Sequence, residues 1–476
     1  MVKLKLERLK SIVLFCLVVI SIVLTTQIWL NISIEGIFIM SENKGDKASE
    51  LLSSDNDKAS FIKPEKLIIN DNGKRTLLLN ETEVGMIYDR ILDDTREMLS
   101  VVFETKEGME LEKRQLDYME KLRAGRSVEL QFPFAYDYRL FAGILGIDNP
   151  NWQEIKNIDT VVVGYDSNNL YIVDKADNSI YEFKSKSLKS SIRVMVDMIN
   201  RGKPYSYIFL NDVDSERYSD IVFIPTDIDK HSMPKLSSYS ETDINTSEDI
   251  AAYFFKDPST LRSIVDPAGT VIYTDGEKQG VRISKSGVIE YVSYSTQSRN
   301  DISNFTIMDA INIATNFVNS HMGFPKDSYI SSIEQTTIGN KLYSCIIRYN
   351  YRYEGIPIVN DEVNMDNPIE VEIVNGEVKR YRRVVKNIKV SGQDRSLKNP
   401  LEIIDILFIR LIHDKKIDID DIMIKDIYLS YLEYGLSNPT SMIPVWVVEV
   451  QVEGSFNTAG RYIMNAESGV ILSEPY

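Results

Sequence analysis

Nineteen consecutive residues without a charge, Ile12 to Leu30 (IVLFCLVVISIVLTTQIWL), constrain this chain more than any other feature of it. At about 1.5 Å rise per residue the run reaches roughly 28 Å as a helix, close to the hydrocarbon thickness of a bilayer. It is predicted to span a membrane. Lys3, Lys5, Arg8 and Lys10 outweigh Glu7 ahead of it, so the positive-inside bias places residues 1–11 in the cytoplasm and everything after Leu30 outside the cell. Trp29 suits the outer interface. The exit Thr25-Thr26-Gln27-Ile28-Trp29 lacks the small residues of a signal-peptidase site, which predicts an uncleaved anchor. Cys16 follows bulky Leu14 and Phe15, a poor context for lipid attachment, and reads as a small apolar filler.

The rest of the chain exceeds what one hydrophobic core usually serves, and 43% hydrophobic composition supplies material for several. Residues 1–11 contribute +3 to the formal −16, so the remainder carries −19. Such a surface repels nucleic acid and anionic lipid headgroups. Cys16 and Cys345 are the two cysteines, one in the apolar run and one far beyond it, so no intramolecular disulfide is expected.

Patterning divides the chain further. Residues 31–60 are polar and irregular, a spacer. Helical spacings follow at Val84, Ile87, Ile91 and Leu92, at Leu116, Met119 and Leu122, and at Tyr138, Phe141 and Leu145. Period-two stretches at 160–164, 169–174 and 179–184 predict a meander, and Leu188 to Asn200 an amphipathic helix. With strands at 205–210 and 221–225 these form a first α+β domain, 61–225. In 226–300, a mostly β central domain, Ser247 is expected to cap a short helix running to Lys256, ahead of strands near 270–274, 280–284 and 288–294. Residues 301–476 show a helix from Thr306, strands at 342–353 and 369–374, an Asn375-Gly376 hairpin to 378–384, then a second helix from Asn399-Pro400 to Ile412 and strands at 427–433, 444–452 and 461–465. The expected fold class is α+β: a transmembrane helix, then three extracytoplasmic domains of antiparallel sheets packed with helices, the last containing one helix-plus-sheet unit used twice.

The chemistry is sparse. His231, His321 and His413 fall in separate units, and no metal-ligand spacing, nucleophile elbow or phosphate loop occurs. No metal, cofactor or catalytic residue is expected. Cys345 sits in a β pattern and reads as buried and structural. Asp414, Asp418, Asp420 and Asp421 lack the order and the glycine of a calcium loop and read as a solvated charge run. Asn70-Asp71-Asn72-Gly73 reads as a turn. On the membrane helix, Leu14, Val18, Ser21 and Thr25 project within about 60° of one another at roughly 100° per residue, a face suited to lateral packing against a partner helix.

Several stretches resemble the YycH family of accessory regulators: SIVLTTQIWLN near the start, FFKDPSTLRSI with YTDGEKQGVRISKSGVIEYVSY in the centre, and YRYEGIPIVNDEV with IEVEIVNGEVKRYRR beyond it, the last region resembling the companion YycI proteins. The piece Tyr273-Thr274-Asp275-Gly276 is read as a structural turn. The resemblance implies a non-enzymatic membrane protein that associates, together with a YycI-type partner, with a sensor histidine kinase of the WalK/YycG type controlling cell-wall homeostasis in Gram-positive bacteria. Leu14, Val18, Ser21 and Thr25 are the expected contacts. The close of the chain, from Pro444-Val445-Trp446 to Ser468-Gly469, resembles PepSY-type modules, which implies as an alternative an inhibitor or chaperone of an extracellular peptidase.

Overall fold

The computed structural model describes residues 58–476 except 82–83, 203, 227–231, 240–243, 277, 295–304, 340, 361–366, 385, 434–439, 454–459 and 476. The spanning run Ile12 to Leu30 and its face Leu14, Val18, Ser21 and Thr25 lie outside the described residues.

The first half is one seven-stranded antiparallel sheet in the order β2-β1-β4-β5-β6-β7-β3. Its strands are β1 (Lys66–Asp71), β2 (Lys74–Leu77), β3 (Glu110–Gln115), β4 (Arg126–Asp137), β5 (Asn157–Gly164), β6 (Asn169–Asp174) and β7 (Ser179–Lys184). The helices are α1 (Gly85–Glu104), α2 (Tyr118–Ala124), α3 (Tyr138–Ile144) and α4 (Ile192–Arg201). Alternation along the strands sends Leu67, Ile69, Val128, Val161, Val163 and Ile172 into the core shared with α1 and α4, and Val162, Tyr171, Val173 and Ile180 toward Met119 and Leu122 of α2. Both faces are therefore covered. The short ladder of β8 (Tyr207–Phe209) with β9 (Phe223–Pro225) adds Phe209 and Phe223 against Ile68.

The second half is a fifteen-stranded, strongly branched sheet. A run of hairpins, β11 (Arg262–Val265), β12 (Val271–Thr274), β13 (Gln279–Ile283) and β14 (Ile289–Ser293), joins β19 (Glu377–Arg383) through β14. Next to β19 stand β18 (Ile369–Val374) and β16 (Lys341–Tyr353), with β15 (Ser328–Ile338) also on β16. From β16 the path passes to β17 (Ile356–Asn360), then β21 (Ile422–Glu433) and β22 (Thr440–Val452). There β10 (Ser232–Tyr239) bridges to β20 (Asn387–Ser396), while β23 (Gly460–Asn465) and β24 (Ile471–Ser473) extend the other side. The strands of 226–300 are thus hydrogen-bonded into the same sheet as those of 301–476. The β17–β21 ladder is parallel where the other ladders are antiparallel, among the described residues.

Among the described residues, two of its three α-helices each cover a stretch of this sheet and precede it in sequence. Helix α6 (Ile307–Ser320) places Ala310, Ile311, Ala314 and Val318 on β16, β18 and β19, and α7 (Pro400–Ile409) places Ile403, Ile404 and Leu407 on β21 and β22. A helix followed by antiparallel strands does occur twice, as the order of the sequence patterns suggests. Thr306 closes a reciprocal capping box with Asp309, and Asn399 caps α7 with Pro400 in its first turn. Ser247 corrects one expectation: it lies inside α5 (Ile244–Ala252), and its hydroxyl shares a 2.8 Å hydrogen bond with the Tyr273 hydroxyl instead of capping the helix. A buried tyrosine hydroxyl needs a hydrogen-bond partner, and Ser247 supplies it.

Candidate functional site

Between the first sheet and the branched sheet lies a cleft of about 280 Å³, and charged residues that local sequence would place on surfaces are instead set at its floor. The backbone of Glu65, just ahead of β1, is held by its amide donating to the Gln131 carbonyl at 2.6 Å. Lys66 then points across the junction. Its Nζ donates to both carboxylate oxygens of Asp426, at 2.6 and 2.7 Å, and to the Ile221 carbonyl at 3.0 Å. The two side chains are 8% and 6% exposed. Asp426, paired with Glu449, directly follows the register shift of β21 against β22, where Lys425 is left without a ladder partner. Burial lifts the Asp426 carboxyl above its ordinary range, opposed by Lys66.

A second set of ties surrounds this pair. Arg352, at the end of β16, donates to the Pro64 carbonyl at 2.8 Å and lies 4.2 Å over the Tyr329 ring. Asp327 accepts from both Lys63 and Asn80 through one oxygen, at 2.8 and 3.1 Å, while its other oxygen is buried without a hydrogen bond. The turn between β16 and β17 presses on residues 79–80: Gly355 has φ +75°, and a Cβ there would sit 2.6 Å from the Asn80 nitrogen. The two sheets are thereby fixed to each other by buried charge and close backbone approach as well as by a continuous apolar core.

The cleft walls are apolar and aromatic, with Leu77, Leu79, Tyr207 and Phe223 on one side and Ile356, Ile358, Tyr428 and Trp446 on the other. Among the floor's charges Glu65 stands apart. It is exposed, and no hydrogen bond or ion pair to its carboxylate is seen among the described residues.

Residues singled out from sequence are elsewhere. Tyr273 to Gly276 form the β12–β13 turn: the amide of Gly276 (φ +85°) donates to Thr274 Oγ1, and the amides of Lys278 and Gln279 donate to Asp275 Oδ1. Cys345 is fully buried in β16, its thiol pushed up to about 12 by burial. Asp418 caps a one-turn helix and Asp414 pairs with Arg410, so the acidic run does not converge. Among the described residues no cluster of His, Cys, Asp and Glu is arranged to hold a metal. The residues sequence reasoning passed over are Glu65, Lys66, Arg352 and Asp426. A signal was present in part: Lys66 and Asp426 interrupt otherwise apolar strand sequences, Lys66-Leu-Ile-Ile and Ile-Met-Ile-Lys-Asp426-Ile-Tyr-Leu.

Residues 7–201 match the family model described as the N-terminal domain of YycH protein, and residues 220–459 match its C-terminal domain. The Lys66–Asp426 pair and the cleft lie at the junction of these two matched regions. The crystal structure of YycH from Bacillus subtilis aligns at 15% identity with a TM-score of 0.52, covering 83% of this chain and 95% of that one, a likeness of fold. The C-terminal domain of YpeB from Bacillus megaterium aligns at 13% identity over 49% of this chain and 97% of that one, with a TM-score of 0.25, too distant to bear on the fold. No individually curated protein matches the chain.

Proposed function

The chain belongs to the YycH family of regulatory accessory proteins, and from that premise we propose that it modulates a sensor histidine kinase of the WalK/YycG type, together with a YycI-type partner, from an anchored position in the cell membrane. The N-terminus is cytoplasmic and residues 31–476 are extracellular in this reading, which rests on the charge asymmetry around Ile12 to Leu30. The carrying observation is the extent of the family match: it starts at residue 7, includes Ile12 to Leu30, and continues with one short interruption to residue 459. YycH is not a known enzyme family.

The physical mechanism is differential packing. A kinase with two signalling states shifts between them only by the difference in free energy with which each state binds the accessory protein. Ser21 and Thr25 supply small hydroxylated surface through which a membrane helix approaches another closely. The ectodomain supplies the second contact, and the buried ties between its two sheets support movement of the described part as a unit.

The test replaces Ile12 to Leu30 with an unrelated membrane helix of the same length, keeping the flanking basic residues, and reads transcription controlled by the kinase. Altered output with normal protein level and orientation is expected. Unchanged kinase control refutes the transmembrane mechanism.

A further inference from the structure

We propose that the free edge of the branched sheet at β11 is a self-association site, where a second copy of this chain lays its own β11 antiparallel to the first, centred on Ile264 against Ile264. The sheet ends on β11, which pairs with β12 and with no other strand among the described residues. All four of its residues are exposed, Ile264 at 61% and Val265 at 54%, so apolar side chains stand on both faces of an unpaired edge. The backbone there has bonds to give. The Asp266 amide donates to the Thr270 carbonyl at 2.9 Å, which fixes the even-numbered residues as those whose backbone groups turn toward β12. By alternation the N–H and C=O groups of Ser263 and Val265 turn outward.

Charge selects the occupant. A two-fold axis at Ile264 sets Ser263 of each copy against Val265 of the other, the pairs that exchange N–H···O bonds, and sets Arg262 of each copy against Asp266 of the other. Arg262 is exposed with no ion pair among the described residues. Asp266 uses one oxygen to accept from the Thr270 amide at 2.9 Å, and no hydrogen bond to its other oxygen is seen among the described residues. Arg262, Ile264 and Asp266 share one face, and the order cation, apolar, anion is its own complement when reversed. A register centred one residue to either side would put Arg262 or Asp266 against Ile264. An apolar strand of unrelated sequence would leave both charges unmatched. The chain's own β11 satisfies backbone, apolar and charged groups together.

This inference is independent of the kinase reading, and its test uses no kinase. Full-length protein in detergent micelles carries Ile264→Cys in a Cys16→Ala background, with Cys345 buried, and is oxidised with copper phenanthroline. The two Ile264 positions form a non-hydrogen-bonded pair with Cα atoms about 4.5 Å apart, within disulfide reach. Arg282 lies in the same row two strands inward, so Arg282→Cys, whose copies would be about 24 Å apart at five strand spacings, is the control. Cross-linked dimer is expected at least about tenfold faster from Ile264→Cys than from Arg282→Cys, and Arg262→Glu is expected to slow it by about tenfold or more, since it sets like charge against Asp266. Sedimentation of the unmutated chain in the same micelles is expected to show a reversible dimer that Arg262→Glu weakens, with the circular dichroism spectrum unchanged. An unmutated chain that stays monomeric, cross-linking no faster from Ile264→Cys than from Arg282→Cys, or a dimer indifferent to Arg262→Glu overturns the proposal. A different protein on this edge, or a dimer held elsewhere, gives one of those three results.

Discussion

Replacing Lys66 by methionine removes the cation and keeps most of its length. Asp426 would then stand 4% exposed with the loss of its Lys66 contacts, and the Ile221 carbonyl would lose the Lys66 donor as well. Removing one partner of a buried ion pair costs about 3–5 kcal/mol, because the remaining charge stays desolvated. The cost has a pH signature. Burial already lifts the Asp426 carboxyl and Lys66 opposes it, so loss of Lys66 moves its folded pKa further up. A carboxyl whose folded pKa exceeds its unfolded value contributes favourably below the unfolded pKa and loses that contribution as pH rises through the folded one. The Lys66→Met penalty is therefore larger at pH 7.5 than at pH 5. Urea unfolding monitored by tryptophan fluorescence at both pH values measures it. Lys66→Met with Asp426→Leu should recover most of the loss, since apolar residues of similar volume replace buried pairs at little cost. A single-variant penalty under about 1 kcal/mol, the range of exposed pairs, or a penalty equal at both pH values refutes the claim that this pair is buried and mutually dependent.

Glu129 gives the opposite pH sign: against the burial that would raise it, Arg123, bonded through two nitrogens at 2.8 and 3.0 Å, holds its carboxyl below the ordinary value, so its contribution is present above the unfolded pKa and lost as pH falls through the folded one. Glu129→Gln should flatten the acid limb of a stability-against-pH curve, and Arg123→Ala should cost about 3–5 kcal/mol near neutrality. Cys345 should resist maleimide labelling in the native protein at pH 8 and label on addition of denaturant; rapid native labelling would contradict its burial and raised pKa. Gly355→Ala should destabilise by more than 1 kcal/mol, roughly the ordinary upper cost of a strained backbone site plus the clash with Asn80, and a neutral effect on the unfolding midpoint would contradict the close approach.

Local signals in the sequence were legible where local physics decides the outcome. Asn72 and Gly73 take left-handed backbone between β1 and β2, and Asn375 and Gly376 do the same between β18 and β19, as their turn chemistry implies. The meander at β5–β7 and the Thr306 start of α6 followed from alternation and capping alone. Strands with little apolar patterning were missed. Glu110–Gln115 has no continuous buried face because it forms an edge, Asn387–Ser396 is almost wholly exposed beside β10, and Pro133 breaks the alternation of β4 at its register shift. The cleft was illegible for a different reason. Lys66 and Asp426 are 360 residues apart, and no spacing rule links them until the two sheets meet.

The proposed function is tested most directly by photocrosslinking in native membranes from single positions on the helix Ile12 to Leu30. Ser21 and Thr25 lie on the contact face, and Val23 lies about 160–200° away from them at roughly 100° per residue. The account predicts adducts containing a sensor histidine kinase, identified by mass spectrometry, from Ser21 and Thr25 and not from Val23. Adducts without a kinase, or a kinase captured equally from Val23, would contradict it.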